Sequence, residues 1–165
     1  MKKQCMVLLV ENNAGVLARV SSLFMQRGFN IDSLTVSSTE DPKISRITIM
    51  TTGDQKPFSQ IMKQTNKLVE TKMIFAVEPS FSLIQELLLV KISTEGADID
   101  EFKQIVERFG ANMIDLTSGC LVTELAASSQ VIDDYLEAIS GFKMLEMCRS
   151  GAIAMERGSV QYDLN

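Results

Sequence analysis

Apolar residues in the first half of the chain alternate between short continuous runs and helical spacing. Residues 5–10 form an unbroken apolar run, which is typical of a central strand covered on both faces. The next apolar positions recur every three or four residues and predict a helix; they are Val16, Leu17, Val20, Leu23 and Phe24. Gly28 follows them and is expected to terminate that helix in a left-handed conformation.

The same half continues with two strands, a helix and a fourth strand. Strands are predicted at residues 30–37, 44–51 and 73–77. The helix before the last strand should turn one side inward, formed by Ile61, Met62, Thr65, Leu68 and Val69. The predicted order of elements is therefore βαββαβ.

The second half repeats this order without repeating the residues. Its predicted elements are strands at residues 87–92, 113–116, 121–125 and 143–148, and helices at residues 98–109 and from 128 to about 139. Two consecutive βαββαβ units of the α+β class are the simplest interpretation. We predict a first domain at residues 1–78, a linker at 79–84 and a second domain at 85–165.

A βαββαβ unit is an open antiparallel sheet with both helices on one face. Right-handed crossovers place its strands in the order 4-1-3-2, so strand 2 is an exposed edge and the opposite face lacks a helical cover. Pairing with a second copy protects such an edge, and packing against a partner covers the face. A homodimer is therefore expected on physical grounds.

Composition and charge narrow the classes of function. The 165 residues are 45% hydrophobic and 22% charged, which is an ordinary globular balance, and the net charge is −5. Residues 1–78 carry ten Lys/Arg against seven Asp/Glu, whereas the remainder carries six against fourteen, which suggests two domains with different roles. The positive excess of the first half is too small for a nucleic-acid surface.

The chain contains no histidine, which excludes Ser-His-Asp hydrolysis, His-based phosphotransfer and most zinc sites, whereas carboxylate-only chemistry stays open. Its three cysteines, Cys5, Cys120 and Cys148, lack metal-ligand spacing and are typical of reduced thiols in a cytosolic protein. The first apolar run stops at Glu11 without a cleavage site, and no apolar run reaches membrane-spanning length. We therefore expect a cytoplasmic protein that does not enter a membrane.

The loop of residues 11–17 is the segment best equipped to bind a ligand. It leads from a central strand to a helix N-terminus, where N–H groups without acceptors and the helix dipole favour an anion. Gly15 lets a ligand approach the backbone, and the Asn12 amide can accept from an ammonium and donate to a carboxylate. A free amino acid fits this chemistry. The alternative is that Asn12 or Asn13 caps the helix and Gly15 eases packing.

Three other features favour structural roles. The loop's single glycine is not followed by Gly-Lys-Ser/Thr, so it is not a P-loop. Asp41-Pro42 is ordinary turn chemistry. The acidic residues Asp98, Asp100 and Glu101 favour a helix N-terminus over a metal site.

Several motifs carry a family resemblance. Asn-x-x-Gly-x-Leu begins at Asn12, Arg-Gly-Phe-Asn-Ile at Arg27 and Asp-Pro-x-x-Ser-Arg at Asp41, while Arg-Ser-Gly begins at Arg149 and Arg-Gly at Arg157. With these motifs the chain resembles the regulatory (small) subunit of acetolactate synthase over almost its whole length. Its first half is similar to an ACT domain.

The resemblance implies an N-terminal ACT domain followed by a ferredoxin-like domain. It implies a non-catalytic subunit of branched-chain amino acid biosynthesis that binds and activates the catalytic subunit and confers feedback inhibition by valine or another branched-chain amino acid. The catalytic partner would carry thiamine diphosphate, magnesium and FAD, and this chain no cofactor. The effector would lie between two ACT domains, on Asn12, Asn13, Ala14, Gly15, Val16 and Leu17 of one chain and Asn30 and Ile31 of the other.

Other functions on the same fold are less consistent with the residues. A stand-alone ACT-domain sensor acting on another enzyme or regulator stays open, but a transcriptional version needs a DNA-reading element, and no helix-turn-helix or basic segment is present. An RNA binder needs exposed aromatic side chains in a basic field, whereas these strands are aliphatic and only 6% of the residues are aromatic.

Overall fold

The structure, a computed structural model, describes residues 2–159 and divides into two compact units. The first unit comprises Met1–Ile84 with Ala152–Asn165, and the second comprises Gln85–Gly151. Met1 and residues 160–165, which fall within the predicted first and second domains, lie outside the described residues. None of the helices within residues 2–159 combines the length and the apolar character needed to cross a membrane.

The first unit has the predicted βαββαβ order. Its elements are β1 (Lys2–Glu11), α1 (Val16–Gln26), β2 (Ser33–Ser38), β3 (Ile44–Gly53), α2 (Gln55–Thr65) and β4 (Thr71–Val77). The four strands form an antiparallel sheet in the order β2-β3-β1-β4, which confirms the predicted order 4-1-3-2. β2 pairs only with β3 among the described residues and forms the edge of the sheet.

The central position of β1 explains its unbroken apolar run, because both of its faces are covered. Met6 and Leu8 pair with Ile49 and Ile47 of β3 and face the helices. The core on this side also takes residues from both helices, namely Val16, Val20, Phe24, Phe58 and Ile61. One stripe of each helix is therefore buried against the sheet.

The second predicted helix ends earlier than its apolar spacing suggested. α2 stops at Thr65, and Val69 is 89% exposed rather than inward. The chain leaves the helix through tight turns, in which Leu68 N–H donates to Thr65 O and the Thr71 hydroxyl also donates to Thr65 O. These bonds redirect the chain toward β4 before another helical turn can form.

A strand of the same chain, and not a helix, covers part of the opposite face of the first sheet, where packing against a partner was expected. A short 3-10 helix at Pro79–Phe81 leads into β5 (Ser82–Ser93), and β9 (Ile153–Glu156) pairs with β5. Ala154 is buried against Cys5 and Val7 of β1 and Val77 of β4. Arg46 Nη2 donates to Ala154 O at 2.6 Å. Small side chains at 152 and 154 allow this close approach of backbone to sheet.

The second unit repeats the topology. After β5 come α3 (Ile99–Phe109), β6 (Asn112–Thr117), β7 (Cys120–Ala127), α4 (Ser129–Ala138) and β8 (Met144–Arg149), and its strand path is β6-β7-β5-β8. Its core lies between sheet and helices around Phe102 and Tyr135, and the Tyr135 hydroxyl is 2.8 Å from the Thr123 hydroxyl. The predicted second domain, residues 85–165, differs from this unit after Gly151, because the β9 segment packs on the first unit.

Candidate functional site

The candidate site begins at the loop of residues 12–15, which joins β1 to α1. Glu11, the last residue of β1, pairs with Ile44, the first residue of β3. All four loop residues are exposed. The loop therefore presents its backbone to solvent at one end of the sheet.

Gly15 gives this loop its shape. It is the N-cap residue of α1 and has φ +86° and ψ −8°. Glycine reaches this left-handed conformation without the steric penalty that a side chain brings. A Cβ at this position would meet no atom of the chain within 4 Å. The glycine therefore serves the turn into the helix, and the alternative that it eases packing is wrong within this chain.

The N-terminus of α1 is open to an anion. No side chain caps it, and its first turn has no acidic residue, so the alternative in which Asn12 or Asn13 caps the helix is wrong. The first N–H groups of a helix lack acceptors within the helix, and the dipole adds partial positive charge there. A carboxylate is the kind of group that such a site accepts.

The N-terminus of α2, in the same unit, offers less to an anion. It also lacks a side-chain cap, but Asp54 occupies its N-cap position. Pro57 removes one N–H group from its first turn. Negative charge and a missing donor therefore leave α1 as the better anion site of the two.

Asn12 ties the loop to the turn between β2 and β3. Its backbone N–H donates to Lys43 O at 2.7 Å, and its side-chain Nδ2 donates to Pro42 O at 3.0 Å. The amide nitrogen predicted to meet a ligand carboxylate is thus engaged within the chain. Its Oδ1 remains as an acceptor for a cationic group.

Asn13 is held from the other side by charged residues. Its Nδ2 donates to Glu11 Oε2 at 3.0 Å, and Glu11 Oε1 lies 2.6 Å from Lys72 Nζ. Arg19 Nη2 forms a second ion pair with Glu70 Oε1, also at 2.6 Å. Lys72 and Arg19 are therefore already paired with carboxylates, whereas the open helix N-terminus is available to an anion.

The remaining predicted residues on this side differ in exposure. Val16 is 3% exposed and belongs to the core, so its contribution to a site is confined to its backbone. Leu17, in the same turn, is 42% exposed and can offer an apolar side chain beside the loop. Ala14 adds little bulk next to Gly15, which keeps the backbone accessible.

Asn30 and Ile31 lie at the far end of the same sheet. The Thr51 hydroxyl donates to Asn30 O at 2.8 Å, and Thr51 pairs with Gln4 near the start of β1. Seven residue steps of about 3.3 Å separate Gln4 from Glu11, so the two groups of site residues are roughly 23 Å apart. A single chain therefore does not bring them together. Ile31 is half-buried against the core, and Asn30 Nδ2 donates to Asp32 Oδ1 at 3.0 Å.

The cysteines have the environment of structural thiols or of isolated surface groups. Cys5 is 3% exposed, and burial raises its pKa to about 11 against a partly offsetting effect of Arg46, so the thiol is protonated at neutral pH. Cys120 and Cys148 are also free thiols. Residues 2–159 contain no group of three or more Cys, Asp or Glu placed to hold a metal ion.

Comparison with known proteins gives the family. Residues 6–72 match the model of the AHAS small subunit-like ACT domain, and residues 85–158 match that of the small subunit of acetolactate synthase. The isozyme 3 small subunit of acetolactate synthase from Escherichia coli (strain K12) is 40% identical over 157 residues, which cover 94% of this chain and 96% of that protein. The chain belongs to the acetolactate synthase small-subunit family.

Other members of the family agree in sequence and in structure. A probable acetolactate synthase small subunit from Methanothermobacter thermautotrophicus is 38% identical, over 92% of this chain and 90% of its own length. The crystal structure of the acetolactate synthase small subunit from Thermotoga maritima is 33% identical, with a TM-score of 0.89 over 97% of this chain and all of the other. These likenesses confirm the predicted α+β fold with its ACT domain. They also confirm a small subunit rather than a catalytic one, and the family implies a catalytic large-subunit partner.

The predicted site left out the residues that hold the loop in place. Pro42 and Lys43 supply carbonyl groups to Asn12, and Glu11 supplies a carboxylate to Asn13. The Asp-Pro-x-x-Ser-Arg motif contained the signal, because it marks this turn as part of the family pattern. Turn chemistry alone did not indicate which loop the turn contacts.

Proposed function

We propose that this chain binds and activates the thiamine-diphosphate-dependent catalytic subunit of acetolactate synthase and makes it sensitive to valine or another branched-chain amino acid. The observation that carries the effector half of the proposal is the uncapped, exposed N-terminus of α1 behind Gly15. The catalytic partner supplies the cofactors, and this chain contributes regulation. Its family supports this role, since its relatives are small subunits of that enzyme.

A complete effector site needs two copies of the chain. β2 is an edge strand, and its last three residues are exposed, Val36 by 42%. In an antiparallel β2–β2 pair about a two-fold axis, the start of one strand lies beside the end of the other. Asn30 and Ile31, which precede β2, would then approach the other copy's turn at 39–43 and the loop that it holds. This arrangement joins the two groups of predicted residues.

The ligand would be held by its α-amino and α-carboxylate groups. The carboxylate would accept from the backbone N–H groups at the start of α1, where the dipole favours it. The ammonium would donate to side-chain amide oxygens, with Asn12 Oδ1 free for this purpose. Leu17 and Ile31 would contact the branched side chain.

Inhibition would follow from linkage between ligand and quaternary arrangement. A ligand that bridges two ACT domains stabilises the arrangement in which both halves of the site meet. The catalytic subunit responds if it binds the two arrangements with different affinity. Activation and inhibition then depend on different surfaces of the chain.

The experiment is a reconstitution with the cognate catalytic subunit, combined with calorimetry on the free chain. We expect the chain to raise acetolactate synthase activity, valine or another branched-chain amino acid to lower it, and the same amino acid to bind the free chain with a Kd of about 1 mM or tighter. A screen of the twenty amino acids identifies the effector. A chain that binds none of the branched-chain amino acids and leaves the catalytic subunit unchanged contradicts the proposal.

A further inference from the structure

The turn at residues 39–43 contacts the loop of residues 12–15, which we call the effector loop, through Asn12. Its carbonyl groups at Pro42 and Lys43 accept both hydrogen bonds that Asn12 donates, at 3.0 and 2.7 Å. We infer that this turn positions the effector loop and couples it to β2, with Thr39 as the positioning residue. The inference rests on the proposed function, because it concerns regulation of the same site.

Thr39 fastens the turn internally. Its hydroxyl oxygen accepts from Asp41 N–H at 3.2 Å and lies 3.0 Å from Asp41 O and 3.1 Å from Ile44 O, to which it can donate. Asp41 Oδ1 in turn accepts from Lys43 N–H at 2.9 Å. Pro42 follows Asp41, and its ring restricts its own φ. The two carbonyl groups that hold Asn12 are therefore fixed in direction by the turn's own bonds.

This order matters for a ligand because Asn12 is one of only two loop side chains with a bond to the described rest of the first unit, the other being Asn13, whose Nδ2 donates to Glu11 Oε2. At the tip of the loop a Cβ added to Gly15 would meet no atom within 4 Å, and the α1 N-terminus has no side-chain cap. A loop that is mobile before binding must be ordered by the ligand, which weakens affinity. Because the turn already holds the loop in the free chain, the ligand does not have to order it on binding.

The same turn lies at the end of the edge strand. β2 ends at Ser38, one residue before Thr39. Pairing of β2 with a second copy therefore acts on the turn directly, and through Asn12 on the effector loop. Linkage requires the reverse as well, so a ligand on the loop favours the paired state of β2.

The test compares Thr39→Val with Thr39→Ser in the full-length chain. Valine removes the hydroxyl and keeps the branched shape, whereas serine keeps the hydroxyl. Thr117→Val is the matched control, since Thr117 flanks the equivalent hairpin of the second unit, where its hydroxyl is 3.1 Å from Cys120 Sγ. The readouts are amide hydrogen exchange at residues 12–16, the Kd for valine or the effector found by the screen, and the melting temperature.

We expect Thr39→Val to speed exchange of the Asn12 amide and to raise the effector Kd about fivefold, the usual effect of losing one net hydrogen bond. Thr39→Ser and Thr117→Val should leave both readouts near the original values. Unchanged exchange and Kd in Thr39→Val would overturn the inference. Equal losses in Thr39→Val and Thr117→Val would also overturn it, because they would indicate general destabilisation.

Failure of the proposed function is distinguishable from failure of this inference. If the unaltered chain binds no branched-chain amino acid, the effector half of the proposed function fails, yet hydrogen exchange still decides whether the turn orders the loop. If the unaltered chain binds the effector and only the exchange and affinity of Thr39→Val stay unchanged, the proposed function stands and the inference fails.

Discussion

The two units of this chain share one topology but begin their first helices differently. In the first unit, α1 starts at Gly15 with no side-chain cap and no acid in its first turn. In the second, Asp98 caps α3 by accepting from the N–H groups of Asp100 and Glu101, which add two acids to the first turn. The first helix N-terminus can receive an anion and the second repels one. The candidate anion site therefore depends on the absence of a side-chain cap and of acidic residues at the α1 N-terminus, and not on the topology that both units share.

The second helix of each unit extends the contrast. In the second unit Ser128 caps α4 through Val131 N–H. Its N-terminal end is further occupied by Glu86, which is 8% exposed, accepts from the Ser129 hydroxyl and pairs with Arg149. The second unit thus uses its polar groups for its own stability. In the first unit neither helix N-terminus has a side-chain cap, and α1 has no acidic residue at its N-cap or in its first turn, whereas α2 has Asp54 at its N-cap.

The largest expected effect comes from closing the open N-terminus of the first unit. Gly15→Asp places a carboxylate beside the first N–H groups of α1, where it competes with and repels a ligand carboxylate. We expect the effector Kd to rise about 100-fold or more, which corresponds to about 2.7 kcal/mol. Calorimetry on the free chain measures this change. Activation of the catalytic subunit should persist, because it depends on another surface.

Two control variants separate charge from backbone strain. Gly15→Ala brings the same left-handed strain, about 1–2 kcal/mol, without the charge. Gly96→Asp introduces the same residue at a left-handed glycine of the second unit, since Gly96 has φ +70° and lies two residues before Asp98, the N-cap residue of α3. Only Gly15→Asp should abolish effector binding. If Gly15→Ala weakens binding as much, backbone conformation and not charge is responsible.

The next effect concerns stability of the second unit. Arg149 Nε lies 2.5 Å from Glu86 Oε2, and its Nη1 lies 2.6 Å from Asp133 Oδ1. Arg149→Met leaves the buried Glu86 carboxylate without its cation, which is costly in a poorly hydrated site. We expect a loss of about 2–3 kcal/mol in the free energy of unfolding, at the low end for buried pairs because Arg149 is 27% exposed. Urea unfolding measures it.

A double variant checks the cause of that loss. Glu86→Gln together with Arg149→Met removes both charges and should recover part of the stability, since no carboxylate is left unpaired. The effector Kd of the first unit should be unchanged in folded protein of either variant. A double variant that is less stable by the full sum of the two single changes would indicate that the pair is not coupled.

Much of the fold follows from the sequence because burial leaves periodic patterns. The unbroken run in β1 predicted a central strand, and helical spacing from Val16 to Phe24 predicted α1. β9 was not predicted, because it has only four residues and its place in the fold depends on pairing with β5 and on the contact of Ala154 with the first sheet. The end of α2 was also misjudged, since apolar spacing continued to Val69 after the helix had turned away.

The candidate site was also predictable in part, but from local loop chemistry and not from periodic burial. Gly15 and the asparagines stand out locally as residues of a loop before a helix. Their hydrogen-bond partners, Pro42 and Lys43, are about thirty residues away in sequence and are brought together only by the pairing of β1 with β3. Asn30 remains distant within one chain, so the proposed two-chain site follows neither from local residue chemistry nor from a single fold, and only the family resemblance predicted it.

The smallest expected effect comes from removing the side-chain cap of α3 in the second unit. Asp98 Oδ1 accepts from Asp100 N–H at 3.1 Å and from Glu101 N–H at 3.0 Å. Asp98→Ala removes this cap and should lower the free energy of unfolding by about 1 kcal/mol. Asp98→Asn keeps a capping oxygen and should lose much less. Urea unfolding of the three proteins measures the difference.

The same variants show whether an uncapped N-terminus is sufficient for amino acid binding. After Asp98→Ala, α3 resembles α1 in lacking a side-chain cap, but Asp100 and Glu101 still place negative charge in its first turn. We therefore expect calorimetry to detect no additional amino acid site in Asp98→Ala. A second site in that variant would mean that the cap alone distinguishes the two helices. Absence of a second site would indicate that the acidic residues of the first turn, and not the cap alone, distinguish α3 from α1.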